Sequence, residues 1–134
     1  MKRLLMLLLA LALCLGAAGC QAEHAGEEAM GYKQIDQETA KAMMAVDDGH
    51  VIVDVRRQDE YDEGHIPGAI LIPNETIEGE RPEALPDLEQ IILIYCRSGN
   101  RSKQAASKLA AMGYVNLYEF GGINTWTGEV VTED

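Results

Sequence analysis

Apolar residues fall in short runs along this chain, and the period of the pattern changes from run to run. Val51-Ile52-Val53-Asp54-Val55, Ala69-Ile70-Leu71-Ile72 and Ile91-Ile92-Leu93-Ile94-Tyr95 are nearly continuous and rich in β-branched residues, the pattern of strands covered on both faces. Val115 to Phe120 alternates enough to read as a last, partly covered strand. Between these runs the spacing lengthens to three or four. Asp36 is placed to cap a helix that runs to about Asp47, buries Ala40, Met43 and Met44, and stops at Gly49. A short helix is expected over residues 58–63. From Ser102 onward Ala105, Ala106, Leu109 and Met112 share one helical face, Lys103 and Lys108 lie on others, and Gly113 supplies a stop. The folded part begins near Tyr32-Lys33-Gln34-Ile35. Asn74 reads as the cap of a brief helix and residues 75–87, with two prolines and several glutamates, as a surface crossover. Gly121-Gly122 permits a turn, Trp126 follows as a core anchor on a short helix, and residues 127–134 read as frayed. Strands alternating with helices predict an α/β domain of about five mostly parallel strands with helices on both faces.

The chemistry concentrates where one strand ends. The run to Tyr95 leads into Cys96, and Arg97-Ser98-Gly99-Asn100-Arg101-Ser102 then opens the next helix. Open α/β sheets place their sites at the carboxyl ends of strands. Backbone N–H groups at a helix N-terminus, with the helix dipole, favour negative charge, so a thiol there ionises more readily, and Arg97 and Arg101 add to the effect. Ser98 and Ser102 supply hydroxyl donors, while Gly99 admits dihedrals that a side chain would forbid. These features predict a thiolate nucleophile at Cys96; a purely structural cysteine has no need of two flanking arginines. Asp54, Arg56 and Glu60 form a second cluster, expected to be an ion-pair and capping network that fixes its turn beside the Cys96 loop. His65, within Gly64-His65-Ile66-Pro67-Gly68, could act on Cys96 as a general base. A thiolate stabilised by amides needs none, so His65 is expected to be a turn residue bonded to backbone. Met43 and Met44 lack companion ligands, and no metal or organic cofactor is expected.

Cys96-Arg97-Ser98-Gly99-Asn100-Arg101-Ser102 resembles the active-site loop of rhodanese-like sulfurtransferases. Asp54-Val55-Arg56, Glu60-Tyr61 and Gly64-His65-Ile66-Pro67-Gly68-Ala69 resemble that family's N-terminal signature, and Gly121-Gly122 with Trp126 its C-terminal one. The resemblance spans about Tyr32 to Trp126. It implies that Cys96 carries a persulfide, taking sulfur from thiosulfate or a persulfide donor and passing it to a thiol or cyanide. It further implies that Arg97 holds the donor anion, that Arg101 reinforces the positive field, and that backbone N–H groups from Arg97 to Ser102 hold the bound sulfur. Two alternatives stand beside this reading. One is a persulfide carrier, or redox or binding module, that serves an extracytoplasmic protein acceptor with little turnover. The other is a cysteine phosphatase or arsenate reductase, whose loops place five residues between cysteine and arginine; here four separate Cys96 from Arg101, and position 102 is serine.

The first residues change the setting. Lys2 and Arg3 followed by Leu4 to Leu15 and Ala17-Ala18-Gly19 read as a secretion signal, with an apolar run short for a bilayer span. Ala17-Ala18-Gly19-Cys20 resembles a bacterial lipoprotein box, although leucine is commoner at the place of Ala17. Cleavage before Cys20 would leave a lipid-modified cysteine, a tether over residues 20–31 and a domain over 32–134, and would put the protein in the cell envelope, anchored to a membrane outside the cytoplasm. Cys14 would leave with the signal, so Cys96 would be the only thiol of the folded domain, with no internal disulfide. Cleavage removes two of the 11 basic residues and none of the 22 acidic ones, for a net charge of −13. A chain so acidic excludes nucleic acid as a partner and has no electrostatic grip on anionic lipid. Oligomeric state is not legible in the sequence.

Overall fold

The computed structural model describes residues 30–133; the signal, nearly all of the tether and Cys20 lie outside the described residues. Strands and helices alternate as β1 (Lys33–Gln34), α1 (Gln37–Met44), β2 (Val51–Asp54), α2 (Gln58–Glu63), β3 (Ile70–Leu71), β4 (Ile92–Cys96), α3 (Asn100–Ala111) and β5 (Leu117–Gly122). Single 3-10 turns lie at Asn74–Thr76 and Ile123–Thr125. The five strands form one parallel sheet in the order β1-β5-β4-β2-β3. β4 is central, and every residue from Ile92 to Cys96 is buried. A strand with neighbours on both edges and cover on both faces has no solvent side, which is why its sequence does not alternate.

Each sheet face carries its own core. On one, Ile92, Ile94 and Cys96 of β4 pack with Val53, Val55 and the α3 residues Ala105, Ala106 and Leu109. On the other, Leu93 and Tyr95 pack with Ile52, Phe120, Ile66 and Ala40 of α1, while Met43, Met44 and Trp126 lie partly buried at the margin. The pleat of β4 assigns these residues to alternate faces and turns Cys96 toward α3. The expected α/β architecture with helices on both faces is therefore present, with every strand parallel.

Several boundaries differ from the sequence expectation. α1 ends at Met44 rather than Asp47 because the Asp48 carboxylate accepts from His50 N at 3.1 Å, a local side-chain bond that competes with helix continuation. α3 begins at Asn100, two residues before Ser102, because Gly99 serves as N-cap with φ +109°. β5 is displaced to Leu117–Gly122: Val115 is 65% exposed, and Gly121 and Gly122 continue the strand instead of turning it. Ile94 pairs with Glu119 and Cys96 with Gly122, so two steps along β4 meet three along β5, and Gly121 at φ +91° takes up the extra residue as a bulge. Asn74 caps nothing; its Nδ2 donates to Gln104 Oε1 at 2.9 Å and its backbone oxygen accepts from Lys108 Nζ at 2.9 Å, tying the turn to α3. The crossover is more than surface, since Ile77 and Leu85 are buried in the α3-side core. The tail is held as well: His65 and Val131 exchange two backbone bonds of 2.8 Å.

Candidate functional site

The strand-to-helix turn after β4 encloses the thiol. Gly99 occupies the left-handed region open to glycine, and this points its N–H back at Cys96 Sγ, 3.0 Å away. Ser102, one turn into α3 and fully buried, brings Oγ to 3.4 Å from the same sulfur. Burial pushes the Cys96 thiol up, but the Ser102 hydroxyl and the backbone N–H groups of Ser102, Gly99 and Ser98 together outweigh it and leave the thiol below its ordinary range. The donors that favour the thiolate are the Ser102 hydroxyl and the loop amides; the amides are those expected from the sequence, where the two arginines were expected only to add to them.

Those arginines have separate fates. Arg101 forms a bidentate pair with Glu60, at 2.7 and 2.9 Å, across 41 residues of chain. Its charge is largely spent on fixing α2 to the loop, and it holds the Glu60 carboxyl down at about 2. Arg97 is exposed, and its guanidinium makes no hydrogen bond or ion pair among the described residues. Ser98 and Asn100 are exposed on the same loop. The Arg97 carbonyl faces inward, accepting from Asn124 N at 3.1 Å. It also lies against Gly122, where an added Cβ would fall 2.0 Å from that oxygen. β5 can approach the loop this closely only with glycine at that position.

Comparison with known proteins now bears on this geometry. A sequence model described as a rhodanese-like domain matches residues 36–129. The chain belongs to the rhodanese-like domain family. Thiosulfate sulfurtransferase GlpE of Pseudomonas entomophila is 36% identical over 96 residues, covering 71% of this chain and 84% of that protein. YrkF of Bacillus subtilis, named as a candidate sulfur carrier, is 34% identical over 108 residues, and the match covers 80% of this chain but 57% of YrkF. Among solved structures, a rhodanese-like domain protein from Staphylococcus aureus superimposes with a TM-score of 0.64 at 31% identity, covering 76% of this chain and 99% of that one.

The remaining candidates hold the segment around α2, and of them Glu60 reaches the Cys96 loop. Asp54 accepts from Arg56 N at 2.9 Å and from Arg56 NH2 at 2.7 Å, and that guanidinium also donates to Gly64 O at 2.7 Å; both side chains are buried. Glu60 accepts from Arg57 N at 3.0 Å, so one carboxylate caps α2 and grips Arg101. The expected network therefore exists, but Glu60 pairs with Arg101 and not with Arg56. His65 is bonded to backbone as expected, its Nδ1 2.9 Å from Tyr61 O and its ring stacked on Tyr61 at 3.7 Å, but it lies in the bridge to Val131 and the turn falls after it at Pro67-Gly68. One contributor had no place in the sequence reading. Glu119, 3% exposed, reaches Ser102 Oγ at 2.7 Å and accepts from Gly121 N at 2.8 Å. Its only signal is an acid set between Tyr118 and Phe120 in a strand whose neighbours are mostly apolar.

Proposed function

We propose that this domain moves sulfane sulfur through a persulfide on Cys96. The observation that carries the reading is a thiol held below its ordinary range by hydroxyl and amide donors at the N-terminus of α3. The Cys96 thiolate attacks the outer sulfur of thiosulfate or a persulfide donor; the new S–S bond forms as the donor's breaks, and sulfite or a thiol leaves with the electron pair. An acceptor thiolate or cyanide then attacks the bound sulfur and releases Cys96. Arg97, exposed and unpaired, is the residue available to hold the donor anion, whereas Arg101 acts as a strut. Ser98, Gly99, Asn100 and Ser102 complete the lining, with amides toward the sulfur.

Loop size favours sulfur over phosphate. Cys96 keeps 1% of its surface exposed, and the Gly99 amide already stands 3.0 Å from Sγ, so one added sulfur fits the enclosure better than a tetrahedral oxyanion. The likeness to proteins named thiosulfate sulfurtransferase supports turnover, and the likeness to YrkF supports a sulfur carrier; the extracytoplasmic protein acceptor of such a carrier is proposed from the secretion signal in the sequence. We further propose anchoring through lipid on Cys20, supported by Ala17-Ala18-Gly19-Cys20 in the sequence. The deciding experiment is transfer from thiosulfate to a thiol or cyanide, with Cys96→Ser as control. Thiosulfate turnover lost in the variant supports the enzyme; single sulfur loading without turnover supports the carrier; neither contradicts both.

A further inference from the structure

A cavity of about 420 Å³ lies on the sheet face opposite Cys96, bounded by α1, the start of β2, the Pro67-Gly68 turn and the chain after Trp126. Its size falls within the range of small-ligand sites, roughly 300–1,000 Å³. Met44, Ile52, Ile66 and Trp126 give it apolar walls, and Lys41, His50 and Glu129 are its polar side chains. The wall after Trp126 is held in place. Gly128 runs so close to the indole that an added Cβ would fall 2.7 Å from Trp126 Nε1, and that N–H donates to Glu129 O at 3.2 Å. Farther on, Val131 is bridged to His65. From α1, Lys41 Nζ lies 5.3 Å from the centroid of the indole ring and donates to Thr127 Oγ1 and, at 3.2 Å, to Glu38 Oε1.

Lys41 is thus engaged, but two other groups are not. His50 Nδ1 is 2.7 Å from Asp48 Oδ1. A carboxylate cannot donate, so the neutral ring carries its proton on Nδ1 and its lone pair on Nε2. Nε2 has no partner among the described residues, although the His50 side chain is only 17% exposed. The Glu129 carboxylate likewise forms no ion pair among the described residues. Both groups left over are acceptors. The Lys41 charge is countered by Glu38, and Asp48 adds a further negative charge behind His50.

We propose that this cavity binds a small arylalkylamine, with its ring among the apolar walls and its ammonium group donating to His50 Nε2 and facing the Glu129 carboxylate. An apolar body is called for by the walls, an aromatic one by the indole, and a cationic donor by two open acceptors in a strongly acidic chain. The site lies across the sheet from the thiol, so its occupancy does not rest on sulfur transfer. Trp126 is the only tryptophan of the chain and lines the cavity, so its fluorescence reports binding there.

The test titrates the full chain with phenethylamine at about pH 8, where the amine is charged, and separately with phenylacetate, an anion of similar size. Phenethylamine should give a saturable change in Trp126 fluorescence with a Kd of about 1 mM or tighter, and phenylacetate should bind at least about fivefold more weakly. His50→Phe keeps an aromatic ring without the accepting nitrogen and should weaken amine binding by about threefold or more. No saturable change, a smaller preference for the amine, or wild-type affinity in His50→Phe each overturns the proposal. Should His50→Phe fail to fold, nitrogen NMR of the wild-type imidazoles decides: phenethylamine should shift His50 Nε2, and an unmoved resonance at saturating amine overturns the site.

Discussion

Gly122 shows how much of the candidate site depends on a side chain that is missing. A Cβ there would stand 2.0 Å from Arg97 O and 2.5 Å from Ser98 N, both backbone atoms of the loop that encloses Cys96. Neither can swing aside like a flexible side chain, so strand and loop must separate. Gly122→Ala should therefore cost at least about 2 kcal/mol in urea unfolding, at the upper part of the range for overpacking, and should slow thiolate alkylation because the amides that face Sγ move with the loop. Cys96→Ser tests the opposite feature. It removes the nucleophile while leaving an isosteric hydroxyl within reach of Gly99 N and Ser102 Oγ, so sulfur transfer should vanish and the urea midpoint should change by less than about 1 kcal/mol equivalent. Cys96, Gly99 and Ser102 were legible in the sequence because they are consecutive enough to share one turn. Glu119 was not: its partner lies 17 residues back on another element, and nothing in a local pattern says which way a strand acid points.

Elements were readable where the period of the pattern changed sharply, and least so where pairing decided the boundary. β4 followed by α3 is an unbroken apolar run giving way to a helical face, and both formed, with the helix start moved by Gly99. β5 slid two residues because its limits follow from register with β4 across the Gly121 bulge, a relation between strands that one strand cannot encode. The Glu60–Arg101 pair joins two elements in the same way, uniting an α2 cap with the α3 loop. Glu60 lies at about 2 in the fold against an ordinary 4.5. Because the folded value is the lower one, the pair's contribution is present above the ordinary carboxylate range and is lost as pH falls from about 4.5 to about 2. Glu60→Gln should thus be less stable than wild type by about 1–2 kcal/mol at neutral pH, and the two denaturation midpoints should converge as pH falls through that window. A gap that persists unchanged in acid would mean that the charge of Glu60 is not what holds α2 to the loop.

Across the protein as a whole, a parallel sheet with a separate core on each face carries one enclosed thiol at the end of its central strand. The strong negative charge gives anionic membranes little to attract, and the attachment we propose is lipid on Cys20. In cells, wild-type protein should sediment with membranes and enter detergent, while Cys20→Ala should remain soluble or unprocessed; equal partitioning of the two would remove the anchor. The central claim concerns Cys96 and is tested most directly by mass spectrometry of the reduced full chain after incubation with thiosulfate. The account predicts an added mass of one sulfur atom, confined to the peptide containing Cys96 and removed by cyanide or dithiothreitol. A Cys96 peptide that stays unmodified under these conditions would contradict it.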